Sequence, residues 1–306
     1  MENIILDVDT GLDDAITIIF SSLQTEFNIA GITTANGNRP LNQVVENTLR
    51  VVEALGRKIS VYRGSALPLN AYKNRKTGFP YADDDAIAMH GTLLNIPQAN
   101  IKPEPELAIS WLHRYLRNNE LTTIVATAPL TNIAQLFLID PNIKNKIKRL
   151  VILGGGRDIG NVTHYAEFNF WADPEAAKIV LNSGVKIHLI TLNEANLAVF
   201  DSVKLEKMLD GNQDSPESKL IKRILEKPLS EENSHVTLYD MLTIAYLSDP
   251  RIMQFEPMEL DINIEVDGNA KDGQLLYKKN KTSNCFVSVG IDIDRLWKYM
   301  KNALAR

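Results

Sequence analysis

The chain is poor in cysteine, with a single one, Cys285, in 306 residues. One thiol cannot form an internal disulfide, which is typical of proteins in a reducing compartment. Long apolar runs are also missing: no stretch reaches roughly 18 uncharged apolar residues, so no membrane-spanning helix is predicted. The amino terminus shows neither a positively charged region nor a small-residue cleavage site. We therefore expect a soluble, cytoplasmic protein.

Basic residues are not in excess, because 33 Lys and Arg stand against 38 Asp and Glu, for a net charge of -5. This balance provides no basic surface for nucleic acid, and none is expected as a partner. Hydrophobic residues make up 44% and charged residues 23%, which excludes a disordered or fibrous chain. Because no repeat, low-complexity tract or flexible linker divides the sequence, we predict a single domain over residues 1–306.

Short β-branched runs alternate with amphipathic helical patterns along the first two thirds of the chain. This alternation predicts an α/β fold with an open, mostly parallel, Rossmann-like sheet and helices on both faces. Right-handed crossovers place the carboxyl ends of the strands at one edge, where ligands bind. The predicted strands are Ile4–Asp7, Ile29–Thr33, Ile59–Tyr62, Thr122–Ala126, Leu150–Leu153 and Lys186–Ile190. The predicted helices are Asp14–Leu23, Leu41–Leu55, Pro105–Leu116, Asn132–Phe137 and Pro174–Asn182.

The last third has a different pattern, which predicts additional helices and a small antiparallel element. The helical patterns are Ser202–Leu209, Glu217–Leu225 and Leu238–Leu247. The alternating patterns are Glu259–Val266 and Phe286–Ile291. Two polar stretches, Asn70–Asp85 and Asp210–Glu217, are predicted to be surface loops.

The most informative stretch is the run Asp7-Val8-Asp9-Thr10-Gly11-Leu12-Asp13-Asp14, at the end of the first predicted strand. Asp7 and Asp9 point to the same face of that strand, because side chains in a strand repeat every two residues. Gly11 permits a tight turn, and Asp13 and Asp14 open a helix where its dipole is positive. Helix capping explains one or two of these acids, but not two strand carboxylates in one crevice.

Carboxylates this close together do not all stay ionised without a counter-charge. A hard divalent cation supplies that charge, and an oxygen-only ligand set favours Ca²⁺ or Mg²⁺ over zinc. The alternative is a solvated acidic turn that only caps a helix. The complete Asp-x-Asp-x-Gly-x-Asp-Asp string favours the metal site.

This string resembles the signature of the inosine-uridine-preferring nucleoside hydrolases, which usually have Pro where this chain has Thr10. Further segments resemble the same family, in its order and spacing, between residues 4 and 250. One match could arise by chance, but five in register could not. The further segments are Thr33–Asn38, Ala126–Ala134, a sugar-binding stretch made of Gly160–Thr163, Ala166–Asn169 and Asp173–Ala177, and the pair Tyr239-Asp240, where the family has His-Asp.

The resemblance implies Ca²⁺-dependent hydrolysis of the N-glycosidic bond of ribonucleosides, which releases the free base and ribose. It also implies a homodimer or homotetramer, the common states of relatives, and Asp9 as general base for a metal-bound water. The implied calcium ligands are the carboxylates of Asp9, Asp14 and Asp240 and the backbone oxygen of Thr127. The implied ribose ligands are Asp13, Asn38, Asn161, Glu167 and Asn169.

Tyr239 is the clearest departure from the family, because many relatives carry a His there that is proposed to protonate the leaving purine. A free Tyr has a pKa of about 10, so at neutral pH it donates a hydrogen bond but transfers its proton reluctantly. Tyr239 therefore either packs beside the site or belongs to a different way of activating the leaving base. His90, in the segment Met89-His90-Gly91, is the other candidate for that role.

Two alternative functions stay open at the level of sequence. Asp7-Val8-Asp9-Thr10 also resembles the start of haloacid-dehalogenase-type phosphatases, in which Asp7 would be the nucleophile and Asp9 the acid, with Mg²⁺. That interpretation leaves Asp13 and Asp14 unexplained. The other alternative is a non-catalytic nucleoside-binding protein on the same scaffold, against which the intact Asp9 argues. The preferred base is not determined by the sequence.

Two further features are interpreted as structural. The run Gly154-Gly155-Gly156 is not followed by the Lys-Ser/Thr of a phosphate-binding loop, so it predicts close backbone approach beside the site. His188 lies in a predicted strand, and we interpret it as a core residue.

Overall fold

The computed structural model describes residues 1–70, 93–230, 234–265 and 270–305. The strands are β1 (Glu2–Val8), β2 (Phe27–Thr34), β3 (Val61–Arg63), β4 (Thr122–Ala126), β5 (Ile147–Leu153), β6 (Ile187–Ile190), β7 (Val199–Phe200), β8 (Val236–Thr237), β9 (Met253–Ile262), β10 (Leu275–Lys279) and β11 (Cys285–Ile291). The α-helices are α1 (Leu12–Leu23), α2 (Leu41–Ala54), α3 (Ala108–Asn118), α4 (Thr131–Ile139), α5 (Phe168–Ala172), α6 (Pro174–Leu181), α7 (Leu192–Ala195), α8 (Ser202–Leu209), α9 (Pro216–Leu225), α10 (Met241–Ser248) and α11 (Ile293–Leu304).

Within the described residues, nine strands form one sheet in the order β10-β9-β11-β6-β5-β4-β1-β2-β3. From β3 at one edge through to β11, each strand is parallel to its neighbour in this order. Strand β9 runs antiparallel to both β11 and β10. The order 3-2-1-4-5-6 is that of a Rossmann sheet, and its direction reverses between β1 and β4. Strands β7 and β8 form a separate antiparallel pair. The predicted fold class is therefore confirmed.

The side chains of β1 show why this strand lies at the centre of the molecule. Ile4, Leu6 and Val8 join a hydrophobic core with α1, α2 and the helices from α8 to α11. Ile5 points the other way, into a second core with α3, α4 and α6. A strand buried on both faces reads as a nearly continuous apolar run, which is the pattern of parallel sheets. The helices therefore cover both faces, as predicted.

Most predicted elements match the observed ones and differ only at their ends, where boundaries are least well defined. The prediction for the start of α10 is wrong, because residues 236–237 pair with β7 as strand β8 and the helix begins at Met241, not Leu238. The alternating segment predicted at Glu259–Val266 is observed as β9, from Met253 to Ile262. The first residues of β9 were not predicted, because Pro257 is a residue that usually argues against a strand. Strand β10 and helix α11 were not predicted.

The predicted loop at Asn70–Asp85 falls outside the described residues apart from Asn70, whose side-chain amide donates to Glu175. The stretch from Asp210 to Ser215 is a loop as predicted, and α9 follows it. Among the described helices, none combines the length and the apolar character needed to cross a membrane.

Candidate active site

The acidic side chains meet at the carboxyl edge of the sheet, where its strand order reverses. Asp9 follows β1, and Thr127 follows the neighbouring strand β4. Asp13 and Asp14 lie in the first turn of α1, and Asp240 precedes the first residue of α10. A cleft at such a reversal is where open α/β sheets bind ligands.

Three carboxylates form the tightest group at this edge. Asp13, Asp14 and Asp240 each offer an oxygen that lies within 4.8 Å of the oxygens of the other two, and all three side chains are buried. Asp9, which is also buried, interacts electrostatically with this group. We call Asp9, Asp13, Asp14 and Asp240 the acidic cluster. The structure therefore brings Asp240 to the amino-terminal acids, and the tightest group contains Asp13 in place of Asp9, the residue that the resemblance gives as a ligand.

Asp14 is held between two elements of the fold. One of its oxygens accepts a hydrogen bond from the backbone N–H of Gly11, at 3.0 Å. The other accepts from the hydroxyl of Thr127, at 2.6 Å. These two bonds fix the carboxylate across the gap between the turn after β1 and the end of β4. The side chain is therefore aimed by the fold before any ligand is bound.

The electrostatics of the acidic cluster oppose ionisation of all its members. Burial, followed by the negative charges of neighbouring aspartates, raises the pKa of Asp9 and of Asp240 well above the ordinary range. Burial raises the pKa of Asp13 to about 6. Burial and like charge both disfavour the ionised form of a carboxyl, and such groups occur often at functional sites. A cation in this position would supply a compensating positive charge.

The oxygen atoms of Asp9 have unequal surroundings. Its Oδ2 accepts a hydrogen bond from the backbone N–H of Asn38, and a Cβ at Gly37 would overlap this carboxylate. Among the described residues, its buried Oδ1 finds no hydrogen-bond partner. A buried carboxylate oxygen without a donor is costly, and an oxygen-seeking cation or a water would satisfy it. The donor set therefore fits a hard divalent cation.

Asp7 is adjacent to the acidic cluster but is engaged by the protein itself. Its Oδ1 accepts from the hydroxyl of Thr33, at 2.5 Å, and from the side-chain amide of Asn132, at 2.8 Å. The same amide donates to the backbone oxygen of Thr34, at 3.1 Å. Asp7 and Asn132 therefore join the carboxyl ends of β1 and β2 to α4. This role of Asn132 was not predicted, although a polar residue in the first turn of an otherwise apolar helix was an available signal.

Glu167 and Asn169 lie against the end of β4, beside the acidic cluster. The Glu167 carboxylate accepts from three backbone N–H groups, those of Gly155 at 2.7 Å, Asn169 at 2.9 Å and Phe170 at 3.2 Å. Glu167 therefore begins helix α5 as its N-cap. The side-chain amide of Asn169 donates to the backbone oxygen of Thr127, at 2.8 Å. That oxygen is the one predicted as a metal ligand.

The other two residues of the predicted ribose set lie further out. Asn38 is half-buried, and Asn161 is exposed. The side-chain oxygen of Asn161 accepts from the backbone N–H of Phe168, at 2.9 Å. Both residues are on loops at the carboxyl edge of the sheet, which is where a ligand above the acidic cluster would meet them.

Tyr239 lies at the border of the acidic cluster and is half-buried. Its hydroxyl donates to the side-chain oxygen of Asn196, at 3.2 Å. Burial, together with the negative charges of Asp13, Glu167 and Asp240, raises the pKa of this hydroxyl. Tyr239 therefore stays protonated at neutral pH and acts as a donor. His90, the other residue predicted to activate the leaving base, lies outside the described residues.

The glycine run after β5 has the predicted structural role. A Cβ at Gly154 or at Gly155 would overlap the ring of Phe170, and Gly155 has a positive φ of 64°. The backbone therefore approaches α5 closely, and the N–H of Gly155 reaches Glu167. His188 is buried in the core, in line with its structural interpretation.

Comparison with known proteins identifies the family. The sequence profile of the inosine-uridine preferring nucleoside hydrolases matches residues 4–298. The chain belongs to this family. Nucleoside hydrolases cleave the N-glycosidic bond of nucleosides, and we therefore conclude that the chain is a nucleoside N-ribohydrolase. This assignment replaces the phosphatase interpretation.

Individual relatives support the assignment to this family. The pyrimidine-specific ribonucleoside hydrolase RihA of Escherichia coli O1:K1 is 32% identical, with 94% of each chain aligned. The probable ribonucleoside hydrolase of Dictyostelium discoideum is 29% identical over 98% of this chain and 93% of the relative. The structure of the purine-preferring ribonucleoside hydrolase from Gardnerella vaginalis superimposes with a TM-score of 0.84, at 25% identity, over 99% of this chain and 98% of its own.

Proposed function

We propose that this nucleoside hydrolase uses Ca²⁺ and that Asp9 is the general base that activates the attacking water. The observation that carries the proposal is the acidic cluster itself, in which four buried aspartates face one another and Asp9 keeps one oxygen without a donor among the described residues. No packing role explains four such carboxylates. An oxygen-only donor set favours Ca²⁺ or Mg²⁺, and the family resemblance favours Ca²⁺.

The proposed calcium ligands are the carboxylates of Asp9, Asp14 and Asp240 and the backbone oxygen of Thr127. When bound, the ion would lower the pKa of a water molecule and neutralise the mutual repulsion of the carboxylates. Asp13 also has an oxygen within 4.8 Å of those of Asp14 and Asp240. The family pattern assigns Asp13 to a ribose hydroxyl instead, and we keep that assignment as part of the proposal.

Asp9 is suited to receive the proton of the attacking water. Its backbone-bonded Oδ2 fixes the orientation of the carboxylate, and the buried Oδ1 has no donor among the described residues, so it is the oxygen proposed to accept the proton. A general base must lie within hydrogen-bond reach of the proton that it accepts, and a fixed carboxylate meets that condition at little entropic cost. Asp9 would then hold the proton while the bond to the base breaks.

The sugar is proposed to bind to Asp13, Asn38, Asn161, Glu167 and Asn169. Cleavage of an N-glycosidic bond passes through a sugar with oxocarbenium character, as in other glycoside hydrolyses. Nearby carboxylates favour this developing positive charge, and amide groups that pair with hydroxyls fix the ring geometry. The side chains of Glu167 and Asn169 are held by backbone groups, so their positions are set before the substrate arrives.

The leaving base is proposed to be activated by hydrogen bonding from Tyr239, with His90 as a second candidate. The substrate partner is a small ribonucleoside, and neither nucleic acid nor a membrane is expected. A homodimer or homotetramer in the cytoplasm is proposed from the resemblance. The named relatives include both a pyrimidine-specific and a purine-preferring enzyme, so the preferred base has to be measured.

The decisive experiment is a panel of purine, pyrimidine and modified nucleosides assayed for released ribose, with 2′-deoxynucleosides as matched controls. A site built to pair a hydroxyl rejects an analogue that lacks it by a factor of about 10⁴ in favourable cases. We expect ribonucleosides to be cleaved and their 2′-deoxy partners hardly at all. Release of ribose from none of the panel would refute the proposed function, and equal rates on a matched pair would refute the sugar ligands.

A further inference from the structure

The loop between β5 and α5, residues 154–167, carries two of the side chains proposed to bind the sugar, Asn161 and Glu167. Glu167 is buried and accepts from three backbone N–H groups, whereas Asn161 is exposed and its side chain accepts from one, that of Phe168. The position of Asn161 therefore depends more strongly on the rest of the loop. On one side this loop meets β9, β10 and the described residues between them, 263–265 and 270–274. We call these residues the C-terminal hairpin.

Two side-chain hydroxyls connect the loop to the C-terminal hairpin. The hydroxyl of Tyr277 in β10 donates to the carboxylate of Asp158, at 2.5 Å. The hydroxyl of Thr163 donates to the backbone oxygen of Ala270, at 2.6 Å. The loop residues that form these bonds, Asp158 and Thr163, lie on either side of Asn161 in the sequence. The ammonium of Lys271, also in the hairpin, lies 5.4 Å from the centre of the Tyr165 ring.

Asp158 has an unusual backbone conformation that the bond to Tyr277 helps to retain. Its φ is 61°, and it is the one non-glycine residue with a positive φ among those the structure describes. Asp tolerates the left-handed region better than most residues, but the conformation still costs free energy. A hydrogen bond that involves a charged group is stronger than one between neutral groups. Tyr277 therefore stabilises the turn from which the loop departs.

Thr163 organises the turn that follows Asn161. Its hydroxyl oxygen accepts from the backbone N–H groups of Tyr165, at 3.1 Å, and Ala166, at 3.0 Å. The backbone oxygen of Ala166 in turn accepts from the N–H of Asn161, at 3.2 Å. The same Thr163 hydroxyl thus closes the turn and ties it to Ala270. Asn161 is held at the base of that turn.

We propose that Tyr277 and Thr163 are positioning residues, through which the C-terminal hairpin holds Asn161 at the sugar. The inference rests on the proposed function, because Asn161 is a sugar ligand only there. Neither residue belongs to the acidic cluster, so their loss leaves the groups that act on the glycosidic bond in place. An interaction made equally in the ground state and the transition state changes KM and leaves kcat unchanged.

The test uses Tyr277→Phe and Thr163→Val, each of which removes one hydroxyl and keeps the shape of the side chain. With Ca²⁺ in excess, we expect KM for the best ribonucleoside to rise about threefold to tenfold in each variant, with kcat within about twofold of wild type. Thr163→Ser, which retains the hydroxyl, should restore KM. Tyr115→Phe is the matched control, since that ring packs on Trp111 and its helix α3 leads into the amino end of β4.

A second measurement needs no substrate and therefore separates this inference from the proposed function. Amide hydrogen exchange of residues 158–166 should be faster in Tyr277→Phe and Thr163→Val than in wild type, and unchanged in Tyr115→Phe. Unaltered exchange and unaltered KM in both variants would overturn the inference. So would a joint fall in kcat, calcium affinity and thermal stability, because that pattern indicates general loosening. If wild type released no ribose while exchange still rose, the proposed function would fail and the hairpin contact would stand.

Discussion

Asp9 shows how a carboxylate can be fixed through one of its two oxygens. The close approach of Gly37 and the backbone bond from Asn38 immobilise Oδ2, and the buried Oδ1 has no donor among the described residues. The arrangement needs glycine at position 37, because any side chain there would occupy the place of the carboxylate. A second segment of the chain, residues 36–38, therefore holds the Asp9 carboxylate of the family signature in place.

Replacement of Asp9 by Asn should abolish most of the activity. The change removes both the proposed base and a charged ligand, and a general base alone contributes about 10² to 10⁴ in rate. We expect kcat to fall by at least about a thousandfold in a steady-state assay of ribose release. Asp294→Asn, which alters an exposed acid on α11, is the control. An Asp9→Asn variant that kept a tenth of wild-type activity would rule out Asp9 as the base.

The role of the Tyr239 hydroxyl can be tested by removing its single oxygen atom. Tyr239→Phe removes the hydroxyl that is bonded to Asn196 and keeps the ring at the border of the site. General acids contribute about 10² to 10⁴ in rate, so a loss of this size on the best substrate is expected if the hydroxyl activates the leaving base. A loss below about threefold would assign Tyr239 to packing. Inosine should also be a poor substrate compared with the best nucleoside of the panel.

At the scale of elements, the sequence was most informative where strands are buried on both faces. The run Ile4-Ile5-Leu6 is apolar on both faces, and the β-branched run at Thr122–Ala126 was predicted with its observed ends. The acids after β1 could be placed because one strand, one turn and one helix are contiguous in sequence. Short-range patterns carry this information in full.

Long-range pairing could not be predicted in the same way. The true start of α10 depends on residues 236–237, which pair with β7 some distance earlier in the chain, and local apolar periodicity does not contain that contact. The bond from Asn132 to Asp7 likewise joins elements that are far apart in sequence. Strand β10, whose exposed residues show weak alternation, is defined by its pairing with β9. Tertiary contacts override local propensity in each case.

Strand β6 carries an acid-sensitive group in the core. His188 is buried, and the centre of its ring lies 5.2 Å from that of Tyr246 and 5.3 Å from those of Phe255 and Phe286. Burial, with further effect from the positive charges of Lys186 and Arg149, lowers the pKa of His188 from 6.5 to about 4. The folded state therefore resists protonation that the unfolded state accepts.

The sign of the effect follows from linkage. Above pH 6.5 His188 is neutral in both states, and its titration contributes nothing to the pH dependence of stability. As the pH falls below 6.5 the unfolded state binds a proton first, so stability is lost, and the loss is complete below about 4. His188→Phe should therefore flatten the fall in melting temperature between pH 7 and 4.5. His235→Gln, at an exposed position, is the control, and parallel curves for wild type and His188→Phe would contradict the assignment.

At the scale of the whole molecule, the site is assembled from segments that span most of the chain. Asp9, Asp13 and Asp14 come from the segment that joins β1 to α1, the proposed ligand Thr127 from the middle of the chain, and Asp240 from its last quarter. Burial, followed by the like charges of the four aspartates, raises the pKa values of Asp9 and Asp240, so the assembled cluster opposes the fold when all its members are ionised. A bound cation would reverse this repulsion, so metal binding and folding stability should be linked.

Removal of metal should abolish activity and lower stability together. A chelator-treated enzyme is expected to release no ribose, and added Ca²⁺ should restore turnover and raise the melting temperature. Asp240→Asn should weaken the effect of Ca²⁺ on turnover and on the melting temperature, because it removes a proposed ligand that is far from Asp9 in sequence. Full activity after verified removal of the metal would contradict the mechanism. Restoration by Mg²⁺ but not by Ca²⁺ would contradict the proposed ion.

The position of β11 between β6 and β9 also has a consequence for synthesis on the ribosome. A nascent chain grows at about 5 to 20 residues per second, so the first acids of the cluster precede Asp240 by on the order of twenty seconds. From the time that β6 is translated until β11 follows, β6 is an open border of the growing sheet, because β11 is the last in sequence of the strands that the structure describes. An open border of a sheet is a template for pairing with another chain. Strand β11 thus covers a border of the sheet that would otherwise stay open to pairing with another chain.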